Sequence, residues 1–232
     1  MYTIFAQSKY AMNEPEAEPI GYELFVRRWD NGQWVLPDPF DKIGIVMLNN
    51  LLRQTIARMP ARIQLLSFNL EQNQFVDPAY AAMVASVQRD TKIRMVTELT
   101  ERLSECVKPQ QLLAAAKRFT ALGLEVCIDD VGTGQNSPAL VTLMNDYVDE
   151  YKFAFQNFRP AATVHELGPQ LRFWTEMAQH HHKVLAWEGI ESGVELALLS
   201  ARYPGNLLQG FLFSRPMRIP GVAYEPQAAC GE

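Results

Sequence analysis

A chain of 232 residues, 48% of them hydrophobic, suits one large α/β domain, and no apolar run approaches the roughly 20 residues that cross a bilayer. The 21 basic and 26 acidic residues give a formal net charge of −5 with no basic run, which argues against a nucleic-acid polymer as partner. Cys106, Cys127 and Cys230 are scattered and form no C-x-x-C pair, which excludes a disulfide framework and a zinc ribbon. With no basic-then-apolar leader at the start, they point to a reducing, cytoplasmic setting.

YTIFAQSKYAM (2–12) predicts a first strand, and the acidic, Pro-rich NEPEAEP after it a loop. IGYELFVRRW (20–29) predicts a second strand on which Glu23, Phe25 and Arg27 share one face. Two charges on one face of an apolar strand mark an open end or a cleft. Residues 41–59 carry Ile45, Leu48, Leu52 and Met59 at helical spacing. Then follow a strand at 63–70, a helix at 78–89, a strand at 93–99 and a helix at 108–123 that Gly123 stops. A strand at 124–129, a helix near 138–145, a strand near 148–154 and a helix near 165–181 continue the alternation. KVLAWE (183–188) predicts a strand, residues 192–202 a helix with a Ser192/Glu195 capping box, and LLQGFLF closes the series.

Strands separated by helices of this length imply a parallel sheet with right-handed crossovers. A hairpin followed by about six further strands is the count of a (β/α) barrel with an irregular start, an open doubly wound sheet being the alternative. No linker divides the pattern, so it reads as one domain over 1–232, with its core at about 2–217 and a tail at 218–232 whose EPQAACGE end frays.

The polar residues at strand ends carry the chemistry. EVCIDDVGTG (125–134) runs a short buried strand into Asp129 and Asp130. Neighbouring carboxylates repel unless a cation sits between them, although Asp and Gly also serve simply as turn residues. Glu23, Asn69, Glu98, Lys152, Glu188 and Gln209 lie at or near the ends of other strands. In a barrel those ends meet at one rim, and such a set of hard oxygen donors suits Mg²⁺ or Mn²⁺.

These stretches resemble the EAL family of bacterial cyclic di-GMP phosphodiesterases. YELFVR resembles the naming signature, and SFNLEQNQF, TELTE, IDDVGTG, VDEYK, EGIE and QGFLFSRPM follow in the family's order. The resemblance implies a TIM-like (β/α) barrel with an antiparallel first strand, in a stand-alone domain that hydrolyses cyclic di-GMP to linear pGpG. It also implies two Mg²⁺ or Mn²⁺ ions: Glu23, Asn69, Glu98 and Asp129 on the first, Asp129 bridging to the second with Asp130, and Glu188 near it. Lys152 and Glu188 would be catalytic, and Arg27, Leu24 and Gln209 would meet the substrate. Glu101 and Glu191 would brace the loop after the paired aspartates, Glu101 coupling it to a homodimer.

Departures from the pattern leave room for a non-hydrolysing cyclic di-GMP receptor or a protein-interaction module. The tripeptide is Glu-Leu-Phe at 23–25, and Val131, Gln135 and Asn136 replace the usual Phe, Tyr and Ser. His180, His181 and His182 point different ways at a helix end, which disfavours a metal site there. Trp29 and Trp34 read either as packing over the barrel end or as a stacking surface for a guanine.

Overall fold

The computed structural model describes residues 1–40, 43–102 and 104–226. It opens with strands β1 (Tyr2–Ala11) and β2 (Gly21–Asp30), paired antiparallel from Tyr2↔Arg28 to Lys9↔Gly21. A short β3 (Gln33–Val35) extends the hairpin, setting Trp34 beside Trp29 with ring centroids 5.0 Å apart. The two indoles pack edge to face on each other, and Arg218 lies over Trp34.

Helix and strand then alternate through α1 (Ile45–Ile56), β4 (Leu65–Leu70), α2 (Gln72–Val76), α3 (Pro78–Arg89), β5 (Arg94–Leu99) and α4 (Pro109–Ala121). The second half runs β6 (Glu125–Ile128), α5 (Pro138–Met144), β7 (Glu150–Ala154), α6 (Gly168–His180), β8 (Val184–Glu188), α7 (Gly193–Arg202), β9 (Leu207–Leu208) and β10 (Met217–Arg218). The helix starts are chemically marked. Asp77 accepts from the Ala79 amide ahead of Pro78, Ser137 caps α5, and Ser192 and Glu195 form the expected capping box on α7. Among the described residues, α2, β3, β10 and two short 3₁₀ helices (Asn145–Tyr147 and Phe155–Phe158) lie outside the sequence pattern; each is too short to show a period.

Strands β2, β4, β5, β6, β7, β8 and β9 pair parallel in turn, and β1 closes the ring by pairing antiparallel with both β2 and β9. The result is a closed eight-stranded α/β barrel whose first strand runs against the rest. Alternation along β4 sends Leu66, Phe68 and Leu70 into the layer between sheet and helices, where they join the main core. Inside the barrel, Leu65, Ala186 and Leu207 form a separate small apolar plug near the strand starts. Above that plug the interior is charged, as described below.

The core runs past residue 217. Val222 is fully buried, its carbonyl accepts from the Thr3 hydroxyl, and Tyr2 and Tyr224 form an antiparallel bridge. Of the EPQAACGE end, residues 227–232 lie outside the described residues.

Gly210 follows the last barrel strand with φ +158°, and a Cβ there would fall 2.2 Å from the Ile190 carbonyl oxygen. That atom is backbone and cannot swing aside. Gly210→Ala is therefore expected to destabilise the fold by more than about 2 kcal/mol, read as a lowered urea midpoint at unchanged slope. A wild-type midpoint would show that the β8–α7 connection yields.

Candidate functional site

The ring of strand ends brings widely separated side chains to one mouth. Lys152, on β7, is about 1% exposed, and its Nζ lies 2.7 Å from Glu98 Oε2, 3.0 Å from Glu23 Oε2, 3.1 Å from Asp129 Oδ1 and 3.2 Å from Glu188 Oε2. Asn69 donates its amide to Glu23 Oε1 at 2.9 Å, and Gln209 donates to Glu23 Oε2 at 2.7 Å. Glu23, Asn69, Glu98, Asp129, Lys152, Glu188 and Gln209 thus form one connected cluster. Asp130 stands beside it.

A fold detail makes the Asp129–Asp130 turn possible. Asp130 takes a left-handed conformation (φ +48°), which a short polar residue tolerates better than most. The Thr133 hydroxyl and amide donate to the Asp130 carbonyl, and Val131 donates to the Lys152 carbonyl. Fully buried Asn136 donates its amide to the carbonyls of Leu99 and Asp129, tying the loop to two strand ends. The Glu101 backbone carbonyl accepts from the Gln135 amide at 3.0 Å. Contact between loop and Glu101 is so close that a Cβ on Gly134 (φ +48°) would fall 2.6 Å from that carbonyl.

The Glu101 side chain does something the sequence reading did not assign. One oxygen each from Glu101, Asp129 and Asp130 lie within 4.8 Å of one another. Backbone ties this residue to the loop, while its carboxylate joins the paired aspartates. The Glu191 carboxylate meets Arg159 at 3.0 Å, and Arg159 also pairs with Glu195 and donates to the Gly189 carbonyl.

Over the cluster opens a cavity of about 230 Å³, and a second of about 190 Å³ adjoins it. Phe25, Arg27, Gln156 and Glu188 line both. Arg27 is half-buried, its guanidinium 5.3 Å from the Phe25 ring centroid and 5.8 Å from that of Phe5. Leu24 lines the first cavity but is 2% exposed and belongs to the core.

Two buried charges within the barrel escaped the sequence reading. Lys9 on β1 reaches Glu98 Oε1 at 2.7 Å and Glu150 Oε1 at 3.7 Å. Glu150 is two residues from Lys152 on the same face of β7. The readable signal was a lone lysine in an apolar strand; its direction was not readable.

Comparison with known proteins decides the family. The EAL domain model matches residues 15–216. This chain belongs to the EAL domain family. Over 213 residues it is 27% identical to the cyclic di-GMP phosphodiesterase PdeR of Escherichia coli (strain K12), covering 85% of this chain but 32% of that relative's length. The fold matches the PaMucR phosphodiesterase in its c-di-GMP complex with a TM-score of 0.73 at 22% identity, covering 94% of this chain and 97% of the other. It matches the Bacillus subtilis YkuI protein, in complex with c-di-GMP and calcium, with a TM-score of 0.74 at 18% identity, covering 94% and 55%.

Electrostatics of this EAL domain centre on crowding. Burial, with Glu98 alongside, pushes the Glu23 carboxyl up to about 7. Burial and Glu188 push Asp130 up to about 6. Burial likewise drives Asp129 well above the usual range despite Lys152, with Asp130 adding to the rise. Burial would raise Glu98 too, but the two ammoniums of Lys152 and Lys9 outweigh it and hold that carboxyl well below its ordinary range. Burial pulls Lys152 down, yet Asp129, Glu188, Glu23 and Glu98 together hold it well above a free lysine. An oxygen-donor set over-crowded with negative charge, whose carboxyls are pushed up because of it, fits a hard divalent cation.

The sign of the pH effect follows. Glu23 rises from 4.5 to about 7 on folding, so across that window the folded chain holds protons that the unfolded chain has lost. Its contribution to stability is present at low pH and is lost as pH rises from about 4.5 through about 7. Cations compete with those protons, so binding releases them and strengthens with pH. The Mn²⁺-induced rise in melting temperature is expected to be larger at about pH 7.5 than at about pH 5.5. Equal shifts at both would mean that Glu23 and Asp130 take no part in uptake.

Proposed function

We propose that this EAL domain is a metal-dependent phosphodiesterase that hydrolyses cyclic di-GMP to linear pGpG, with two Mg²⁺ or Mn²⁺ ions as cofactor. The observation that carries the reading is the convergence of four carboxylates on Lys152 at one barrel rim, with Asp130 and Glu101 alongside. The names of PdeR and of the c-di-GMP complexes support the substrate. The adjoining cavities support a ligand with two similar halves, since Arg27 and Phe25 border both.

In this reading Glu23, Asn69, Glu98 and Asp129 would hold one ion and Asp130, with Asp129, the other, Glu101 standing beside them. Ions held there would supply Lewis acidity toward a water and toward the charge that develops on phosphorus oxygens. Arg27 clamps the phosphodiester with parallel N–H donors. Lys152 orients the attacking water or a phosphoryl oxygen, and Glu188, 3.2 Å from Lys152 Nζ, takes the water's proton. The water oxygen bonds to phosphorus, the bond to the 3′ oxygen breaks, and that oxygen leaves as a hydroxyl with the proton Glu188 took from the water. Phosphate stays on the 5′ oxygen, which gives pGpG. Gln209 holds Glu23 in place, and Leu24 fixes the floor of the cavity. A homodimer coupled to the Glu101-held loop, and the cytoplasm as compartment, belong to the same reading. Among the described residues no helix is long and apolar enough to cross a membrane.

One observation favours the non-hydrolysing receptor as second reading: both oxygens of Glu98 are already held by ammoniums, at 2.7 Å each. A metal at Glu98 would have to share Oε2 with Lys152 or displace it. Incubation of the protein with Mn²⁺ and cyclic di-GMP, followed by chromatography, separates the two. Linear product is expected; saturable binding with no product at high protein concentration would establish the receptor instead.

Lys152→Ala is expected to lower turnover by roughly 10²- to 10⁴-fold. It also leaves four carboxylates facing one another, so the metal-free variant melts lower than wild type, and Mn²⁺ restores more of its stability than it adds to wild type. A fully active Lys152→Ala protein would remove lysine from the mechanism.

A further inference from the structure

We propose that Lys9 is a positioning residue for the metal centre, fixing Glu98 from the floor of the barrel so that its other oxygen faces the rim. The inference rests on the metal-dependent reading above. Glu98 is fully buried and presents its two oxygens in opposite service: Oε2 to Lys152 at 2.7 Å, and Oε1 to Lys9 at 2.7 Å. Lys9 comes from the antiparallel strand, one layer below the level of Glu23. Register shows this directly, since Gln7 pairs with Glu23 and Lys9 with Gly21.

A carboxylate turns about a broad terminal torsion, so a single partner leaves its second oxygen poorly fixed. Two donors from opposite sides fix both. Partners of this kind, one bond removed from the ion, set the orientation of a ligating side chain.

The competing view is that Lys9 serves only to neutralise Glu150. Geometry speaks against it. Lys9 spends a directed hydrogen bond on Glu98, whereas Glu150 Oε1 stands 3.7 Å away and has no hydrogen-bond partner. An ammonium that is 1% exposed is costly to bury, and apolar residues would fill that floor more cheaply, as they do in the plug of Leu65, Ala186 and Leu207.

Mn²⁺ binding to the whole chain, measured by calorimetry without dinucleotide, tests the role. Lys9→Met is expected to weaken Mn²⁺ binding by about 10- to 100-fold. The double variant Lys9→Met/Glu150→Leu removes the buried pair without changing net charge, protects against misfolding, and is expected to show the same loss. Glu150→Gln alone is expected to keep wild-type affinity. Raising Mn²⁺ to saturation should then restore kcat in the Lys9 variants, which repair of a damaged fold would not do. Wild-type affinity in either folded Lys9 variant, or recovery of affinity in the double variant, overturns the positioning role and leaves the function intact. A wild-type chain that takes up no Mn²⁺ overturns both.

Discussion

One ammonium among four carboxylates is the interaction on which this architecture depends. Lys152 Nζ lies between 2.7 and 3.2 Å from oxygens of Glu98, Glu23, Asp129 and Glu188, and those residues come from four different strands or strand ends. Inside a barrel shielded from water, unpaired charges of one sign cannot be held together without a counter-charge. The lysine supplies part of it, and the upward shifts of Glu23, Asp129 and Asp130 mark the part left unbalanced. Unequal sharing explains why neighbours differ. Glu98 touches two ammoniums and stays ionised; Glu23 touches one, shares it with three other acids, and holds its proton to about 7.

Closure of the ring is what makes this sharing possible. An open sheet would set Glu23 and Glu188 at distant edges, whereas here β1 joins β2 to β9 and brings Gln209 to within 2.7 Å of Glu23. The reversed direction of β1 has its own effect. Its side chains enter the interior from a strand that shares neither the start nor the end of the others, so Gln7 reaches Gln209 at the rim while Lys9 reaches Glu98 from below. The interior is therefore graded along its axis, from an apolar plug through a buried charge layer to an open acidic mouth. Barrels whose interiors hold only side-chain packing are filled with branched apolar residues in layers. This one gives up part of that packing for charge.

Most of the rim was legible because strand ends are legible. An apolar run that stops on an acid, as in VCID and VLAWE, marks both the strand and the position of its polar residue. The interior was less so. On β1 and β7 the period of two says that Gln7 and Lys9 share a face, and Glu150 and Lys152 another, but not which face is the inside. Loop residues were legible by type rather than by task. Glu101 holds the loop with its backbone carbonyl, which no side-chain identity can announce, and its carboxylate turns to Asp129 and Asp130 instead. Glu191 found a guanidinium, that of Arg159, which the strand pattern gives no reason to place there. Segments such as α2 and β10 fall below the length at which a period can be counted, and the ordered packing of Val222 depends on a partner, Thr3, at the other end of the chain.

Charge balance over the mouth and the buried layer beneath it connects structure and chemistry. Glu23, Glu98, Glu101, Asp129, Asp130, Glu150 and Glu188 stand against Lys9 and Lys152, a formal surplus of five negative charges, of which two divalent ions would offset four. In the proposed enzyme each oxygen given over to a cation is one fewer for Lys152 to serve. With cations held there, the same ammonium would be free, still desolvated, to donate to a water or a phosphoryl oxygen. Lys9 does not share that freedom. It lies beneath Glu98, at the strand position paired with Gly21, so its hydrogen bond would persist if that of Lys152 were surrendered. Without such an anchor, Glu98 would lose its orientation at the moment its ligating oxygen is needed. Two lysines on one carboxylate then have separate reasons to be there: one to be exchanged, the other to stay.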